Sequence, residues 1–332
     1  MSTRSNVDRR TFIKATGAGT VAGLTGMVGS AAGQEFPEQD IELICPWDEG
    51  GGTDRTARML ADRAEEYLDT SFFVTNQTGG TGSVGFNAGA TAEPDGHTVT
   101  VLTVEVVTIE HLGVAQINHE AFEPVMQYNF DPAALTVRED WEAQDLDEFI
   151  EYAEENPGEI RVSNSGPGGI WHLSAAGFAS EAGIELDHIG YDGAAPATQA
   201  VLGGEVEATT SSAAEVAPQV LDDGPLITLA HFGEERLDLM PDVPTLIEED
   251  IDFTMGAWRG LGVPEGTDEE RIETLHDTFQ QVFEDEEFQD FMEENGFGVV
   301  YRDTEEFGEF MGESYEEFGE LIDELGLDEE GG

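Results

Sequence analysis

A chain of 332 residues with 39% hydrophobic content is long enough to bury a full core, and its length suits two lobes of ordinary domain size better than one. Its 72 acidic residues stand against 13 basic ones, a formal charge of −59. Nucleic acid is excluded as a partner because so few cations cannot offset that field, and periodic Leu, Val, Phe and Ala among the carboxylates exclude a disordered acidic tail.

Residues 1–33 read as a twin-arginine export signal. They carry the run Asp8-Arg9-Arg10-Thr11-Phe12-Ile13-Lys14, a weakly apolar Gly/Ala/Val stretch from Ala15 to Val28, and Ala31-Ala32 as small residues for cleavage. No other run approaches the roughly 18 apolar residues of a transmembrane helix. The mature protein is therefore expected to be soluble and extracytoplasmic, at the cell surface or in a periplasm-like space. Removing residues 1–33 takes away four cations (Arg4, Arg9, Arg10, Lys14) and one anion (Asp8), leaving 9 of the 13 basic and 71 of the 72 acidic residues. Such a chain repels itself unless ions screen it, which at about 1 M salt happens over roughly 3 Å. This predicts adaptation to molar salt, as in a haloarchaeon-like, halophilic source.

Ile41–Cys45 is a predicted strand, and its Cys45, the only cysteine, is expected to be a small buried strand residue. A glycine-rich loop, Pro46–Thr53, leads to a helix with Ala57, Leu60, Ala61, Ala64 and Leu68 on one face, which Thr53 or Asp54 is expected to cap. Phe72–Val74 is a second strand, followed by the loop Asn76–Ser83 and a short helix near 85–92. Pro94-Asp95-Gly96 is a turn signal before a third strand over Thr98–Val104. Strands alternating with helices predict a parallel sheet.

A second α/β unit starts near Ala143. Its helix, marked by Leu146, Phe149, Ile150 and Ala153, ends at Asn156-Pro157-Gly158. Then follow a strand (Ile160–Ser163), a loop (Asn164–Gly169), a helix from about Trp171 to Ala182, and a strand (Asp187–Tyr191). The loop Asp192–Ala195 opens a helix with Pro196 in its first turn that stops at Gly203-Gly204, and strands over Val206–Thr209 and Leu226–Ala230 complete the unit. Phe253–Val263, containing Trp258, is expected to cross back to the first unit, where helices over Glu269–Phe283 and Thr304–Leu325 pack. The expected domains are 34–137 plus 256–332 for one lobe and 138–255 for the other, with two hinge crossings.

Four glycine-rich loops, 46–54, 76–85, 163–171 and 191–196, each sit between a strand and a helix. Glycine there admits a ligand close to the backbone, and the free N–H groups of a helix start favour an anion. Any one such loop reads as a tight turn; four, two per lobe, point to a cleft. Gly80-Thr81-Gly82-Ser83-Val84-Gly85 spells G-x-G-x-x-G with Glu105 downstream, which raises an exported nucleotide-cofactor oxidoreductase as the alternative. A polar loop separating Val74 from Gly80 argues against it, so no cofactor is expected. Ser163, Ser165 and His172 lack a nucleophile elbow, and the seven histidines lack metal-ligand spacing, so neither an enzyme nor a metal site is expected.

The run from Ile44 to Arg55 resembles the first loop of the tripartite tricarboxylate transporter substrate-binding receptors, the Bug or TctC family. Val74-Thr75-Asn76, Pro94–Thr98, Ser163–Gly168 with His172-Leu173, Tyr191–Pro196, Leu202–Val206, Pro241–Thr245 and Trp258–Leu261 match in the same order. The resemblance spans about Phe36 to Tyr301. It implies a two-lobed, type II periplasmic-binding-protein-like α/β fold with a ligand cleft between the lobes. It also implies a non-enzymatic receptor, expected to be a monomer, that delivers a small carboxylate-type solute to membrane permease subunits; a sensor reporting to a membrane partner would share these lobes. Carried over residue by residue, it assigns ligand binding to Trp47, Gly51, Thr53, Asp54, Asn76, Thr103, Ser165, Gly168, His172, Asp192, Gly193 and Ala194. The sequence departs from the family pattern at Asp48-Glu49 and Asp192. These add negative charge at the proposed mouth, through salt adaptation or because the ligand is not strongly anionic.

Overall fold

The computed structural model describes residues 36–327 apart from 167, 192, 222 and 223. The segment 1–33 and Asp192 lie outside the described residues. β1 (Ile41–Cys45), α1 (Gly52–Ala64), β2 (Phe72–Asn76), α2 (Ser83–Ala90) and β3 (Thr98–Thr103) follow in order, with β1 parallel to both β2 and β3. Helical crossovers make that parallel pairing possible. Ala57, Leu60, Ala61 and Ala64 of α1 are buried against Ile41, Leu43, Val99 and Val101, whereas Leu68 follows in the turn after the helix. Cys45 is fully buried in β1, and burial pushes its thiol up to about 11.

β4 (Phe122–Arg138) is a 17-residue strand that alternation does not reveal, because both of its faces are enclosed and Gln127, Asn129 and Asp131 are buried with its apolar residues. α3 (Leu146–Glu155), β5 (Arg161–Asn164), α4 (Ile170–Ala182), β6 (Asp187–Gly190), α5 (Ala194–Leu202) and β7 (Ala208–Ser212) form the second unit, with β5 parallel to β6 and β7. β7 starts two residues later than expected, because Val206 is instead buried with Ala200, Val201 and Leu226. α6 (Ala213–Val220) and β8 (Leu226–His231) follow.

β9 (Gly256–Pro264) returns to the first unit, antiparallel to β3 and β4. Over Phe122–Pro132, β4 pairs with β9, and from Ala133 it pairs with β7 and β8 instead. Beside that change the Met255 N–H donates to Phe232 O at 2.9 Å, and the Ala133 N–H donates to Met255 O at 2.9 Å. The chain thus passes between the units twice, on adjacent strands. A Cβ on Gly256 would meet Asp131 O at 2.4 Å, so the crossing depends on glycine for its close approach.

α7 (Glu269–Phe283), α8 (Glu286–Glu294), β10 (Val299–Arg302) and α9 (Thr304–Glu324) close the first unit, β10 pairing with β4. Phe307 of α9 packs edge-on to Trp258 of β9, their ring centroids 5.6 Å apart. Among the described residues ten strands form one continuous sheet, in the order β2-β1-β3-β9-β4-β7-β5-β6 with β8 and β10 branching from β4. Among the described residues no helix is long and apolar enough to cross a membrane.

Candidate functional site

The four glycine-rich loops leave the C-terminal ends of β1, β2, β5 and β6. Within each unit the two loops are neighbours, since Cys45 lies opposite Asn76 and Asn164 opposite Gly190. The Gln77 N–H donates to Cys45 O at 2.9 Å and the Tyr191 N–H to Asn164 O at 2.9 Å, tying each pair together. The helices that follow, α1, α2, α4 and α5, have Gly51, Gly82, Gly169 and Gly193 as N-caps, with no side-chain cap hydrogen bond. By contrast α3, α6, α7, α8 and α9 are capped by the side chains of Asp145, Ser212, Asp268, Asp285 and Asp303. A helix start leaves its first N–H groups without intrahelical partners, and none of these four helices caps them with its own N-cap side chain; in α2, however, the Ser83 and Val84 N–H groups donate to Gly80 O and Gly79 O, which leaves α1 and α5 as the most open starts.

The expected cap by Thr53 or Asp54 is not formed. Gly51 takes the extended N-cap conformation, and both residues fall inside the first turn of α1. Asp54 folds back to accept the Gly50 N–H at 2.8 Å, and it also accepts Asn76 Nδ2 at 2.8 Å and Arg58 Nε at 3.0 Å. Burial would raise its carboxyl, but the hydrogen bonds from Arg58, Gly50 and Asn76 outweigh it and hold the group below the usual carboxylate range. Asn76 Nδ2 further donates to Trp47 O at 2.9 Å, and Arg58 to Asn76 Oδ1 at 2.9 Å. Asp54 and Asn76 thereby staple the first two loops together. Thr53 accepts Arg259 Nε at 2.9 Å, and Arg259 is buried and paired with Asp131.

Trp47 Nε1 donates to the Thr103 hydroxyl at 3.2 Å, and that hydroxyl donates to Glu105 Oε2 at 2.5 Å. Glu105, in the 3-10 turn Val104–Val107, is 5% exposed. Burial raises its carboxyl, while the hydrogen bond from Thr103, the charge of Arg259 and the hydrogen bond from the Ile170 N–H in the first turn of α4 favour its charged form. Glu105 therefore joins the first loop to the third. The sequence pointed to it only as part of the nucleotide alternative; its position just past a parallel strand end was the available signal for the cleft.

In the third loop the Gly168 N–H donates to His172 Nδ1 at 3.0 Å, which leaves the His172 proton on Nε2. Burial, with His188 beside it, lowers His172 to about 4. Among the described residues Ser165 Oγ is buried without a hydrogen-bond partner. Gly168 and Gly193 have φ of 73° and 107°, a region that favours glycine, and Ala194 is buried at the first position of α5. The structure thus gathers Trp47, Gly51, Thr53, Asp54, Asn76 and Thr103 in one cluster, and Ser165, Gly168, His172, Gly193 and Ala194 at the paired third and fourth loops.

The enzyme alternatives lose their geometry. Ser163 Oγ is spent on Ala197 O at 2.9 Å, and His172 Nδ1 on Gly168. β2 ends at Asn76, four residues before Gly80, so the G-x-G-x-x-G run does not leave a strand end, and α2 spans only eight residues. Of the nine described arginines, seven pair with carboxylates. The other two, Arg55 and Arg302, donate to Asn295 and Gln127 and lie over phenylalanine rings.

The sequence matches the family model "Tripartite tricarboxylate transporter family receptor" over residues 56–327. It is 30% identical to the UPF0065 protein in the gbd 5' region of Cupriavidus necator, over 97% of this chain and 99% of that protein. A crystal structure of a TctC solute binding protein from Polaromonas, without ligand, is similar in fold, with a TM-score of 0.74, 36% identity, and coverage of 87% of this chain and 99% of that one. MatC from Rhodopseudomonas palustris with bound malate shares the fold at a TM-score of 0.77 and 24% identity, over 86% of this chain and 100% of that one. The architecture is thus the two-lobed, type II-like periplasmic-binding-protein fold. By its sequence and its fold this chain belongs to the tripartite tricarboxylate transporter receptors, extracytoplasmic solute-binding proteins rather than enzymes.

Proposed function

We propose that this receptor binds a small carboxylate-bearing solute between its lobes and hands it, as a monomer, to membrane permease subunits. The observation that carries this reading is the set of four glycine-capped helices, two in each unit, beside five helices capped by side chains. Open helix starts hold a carboxylate through N–H groups and the helix dipole, without a basic side chain. That suits a chain whose described arginines are already engaged, and malate in MatC, of the same fold, is a carboxylate. The ligand-binding residues in this reading are Trp47, Gly51, Thr53, Asp54, Asn76, Thr103, Ser165, Gly168, His172, Asp192, Gly193 and Ala194, with Asp54, Asn76 and Thr103 acting through the loops they position rather than by donating to the ligand.

The lobes are read as 34–137 with 256–332 against 138–255, a division supported by the change of β4 from β9 to β7 and β8 within that strand. Segment 1–33 is read as the twin-arginine signal, and the 72 acidic residues as adaptation to molar salt. The test is a thermal-shift screen of the mature chain in molar and in dilute salt against mono-, di- and tricarboxylates, amino acids and nicotinamide nucleotides. A carboxylate at 100 times its dissociation constant stabilises the protein by about 2.7 kcal/mol. Cooperative melting confined to high salt, with a carboxylate-dependent shift, is the expected outcome. Stabilisation by nucleotides alone would overturn the receptor reading, and full folding in dilute buffer would overturn the salt adaptation.

A further inference from the structure

We infer that Glu105 is a specificity-determining residue of the cleft, selecting solutes that present an ammonium group beside their carboxylate. The inference rests on the receptor reading above and adds the chemistry of the ligand's second group.

Glu105 is 5% exposed just past the C-terminal end of β3, tied through Thr103 to Trp47 of the first loop and bonded to the Ile170 N–H that follows the third loop. Its nearest side-chain partner is neutral: the Thr103 hydroxyl spends its one proton on Glu105 at 2.5 Å and accepts from Trp47 Nε1 at 3.2 Å. Thr103 is therefore committed to holding Glu105 and has no proton left for a ligand. The cations of the neighbouring loops are committed too. Arg58 is paired with Asp54 and bonded to Asn76, and Arg259 is paired with Asp131 and bonded to Thr53. Among the described residues no arginine forms an ion pair with Glu105.

A buried carboxylate without a cationic partner is completed by a positive group and opposed by a second negative one. A solute whose carboxylate sits on open helix N–H groups gains by placing an ammonium at Glu105. A second carboxylate in the same place meets like charge, and Arg259, the cation whose charge reaches Glu105, is already paired with Asp131. The cleft therefore suits a zwitterion better than a plain dicarboxylate.

L-aspartate and L-malate differ only by ammonium against hydroxyl, which makes them the test pair. Calorimetric titration of the mature chain in molar salt is expected to show aspartate binding at least about tenfold more tightly than malate, a gap of about 1.4 kcal/mol. In Glu105→Gln, which keeps the shape and the Thr103 contact, the ratio is expected to fall to within about threefold. Circular dichroism checks that the variant folds, and the wild-type ratio stands as a readout that needs no variant. Malate binding as tightly as aspartate in the wild type, or an unchanged ratio in a folded Glu105→Gln, overturns the inference. Binding of succinate but of no amino acid overturns it while leaving the receptor reading intact, and binding of no carboxylate overturns both.

Discussion

His172 shows how one side chain can be both a loop clamp and a titration site. It is 8% exposed, its Nδ1 accepts the Gly168 N–H, and burial holds it to about 4 rather than 6.5. A histidine with a lowered folded pKa binds fewer protons folded than unfolded between those values. Its contribution to stability is therefore complete above about pH 6.5 and is lost as the pH falls towards 4, by about 3 kcal/mol in all. His172→Asn keeps an acceptor for Gly168 without that titration, and chemical denaturation at pH 7 and pH 4.5 is expected to show a shallower pH dependence than in the wild type. An equal slope in both proteins would mean that His172 does not titrate across folding. Sequence placed His172 at a helix start, but its bond to Gly168 depends on the left-handed backbone at Gly168, which a residue list does not specify. Glu105 eluded assignment to the cleft for a related reason: its hydrogen bond to the Ile170 N–H comes from α4, more than sixty residues away along the chain.

Helix starts are the recurring device at the scale of elements. Five helices close their own N–H groups with Asp or Ser, and the four that begin at the candidate loops do not. Gly51 allows this to be tested, because its φ is −70° and an added Cβ meets only Asp48 O at 3.4 Å. Gly51→Ser supplies a hydroxyl to the first turn of α1. The variant is expected to keep the wild-type melting temperature or raise it slightly, since a serine cap differs from glycine by only about a few tenths of a kcal/mol. Its carboxylate affinity is expected to fall by about tenfold, because the new cap competes for the same N–H groups. Unchanged affinity in titration calorimetry would remove α1 from the binding surface. At this scale the sequence was most legible where periodicity was clean: α3, α5 and α7 lie where their apolar spacing and turn residues put them. It was least legible for β4 and for the α8–β10 pair. β4 is enclosed on both faces and shows no alternation, and β10 is a four-residue edge strand whose place is set by distant Gln127 and Asn129.

Across the whole molecule, two parallel α/β units share one sheet through β4 and β9, so both crossings lie side by side at Asp131–Ala133 and Met255–Ala257. Arg259 is anchored there, bonded to Asn129 and Asp131 of β4 and to Thr53 of α1, which links the crossing strands to the first loop. Order of elements and wiring were readable from sequence because strand–helix alternation and glycine punctuation are local. The residue where β4 changes partners was not, because it is set by pairing with β9, over a hundred residues away. In the proposed function, backbone N–H groups of glycine-capped helices, rather than basic side chains, hold the solute. A ligand-bound crystal structure of the mature chain measures this directly. A ligand carboxylate is expected about 3 Å from first-turn N–H groups of α1 or α2 and of α4 or α5. A carboxylate held by an arginine side chain, or a ligand seated away from the four loops, would contradict it.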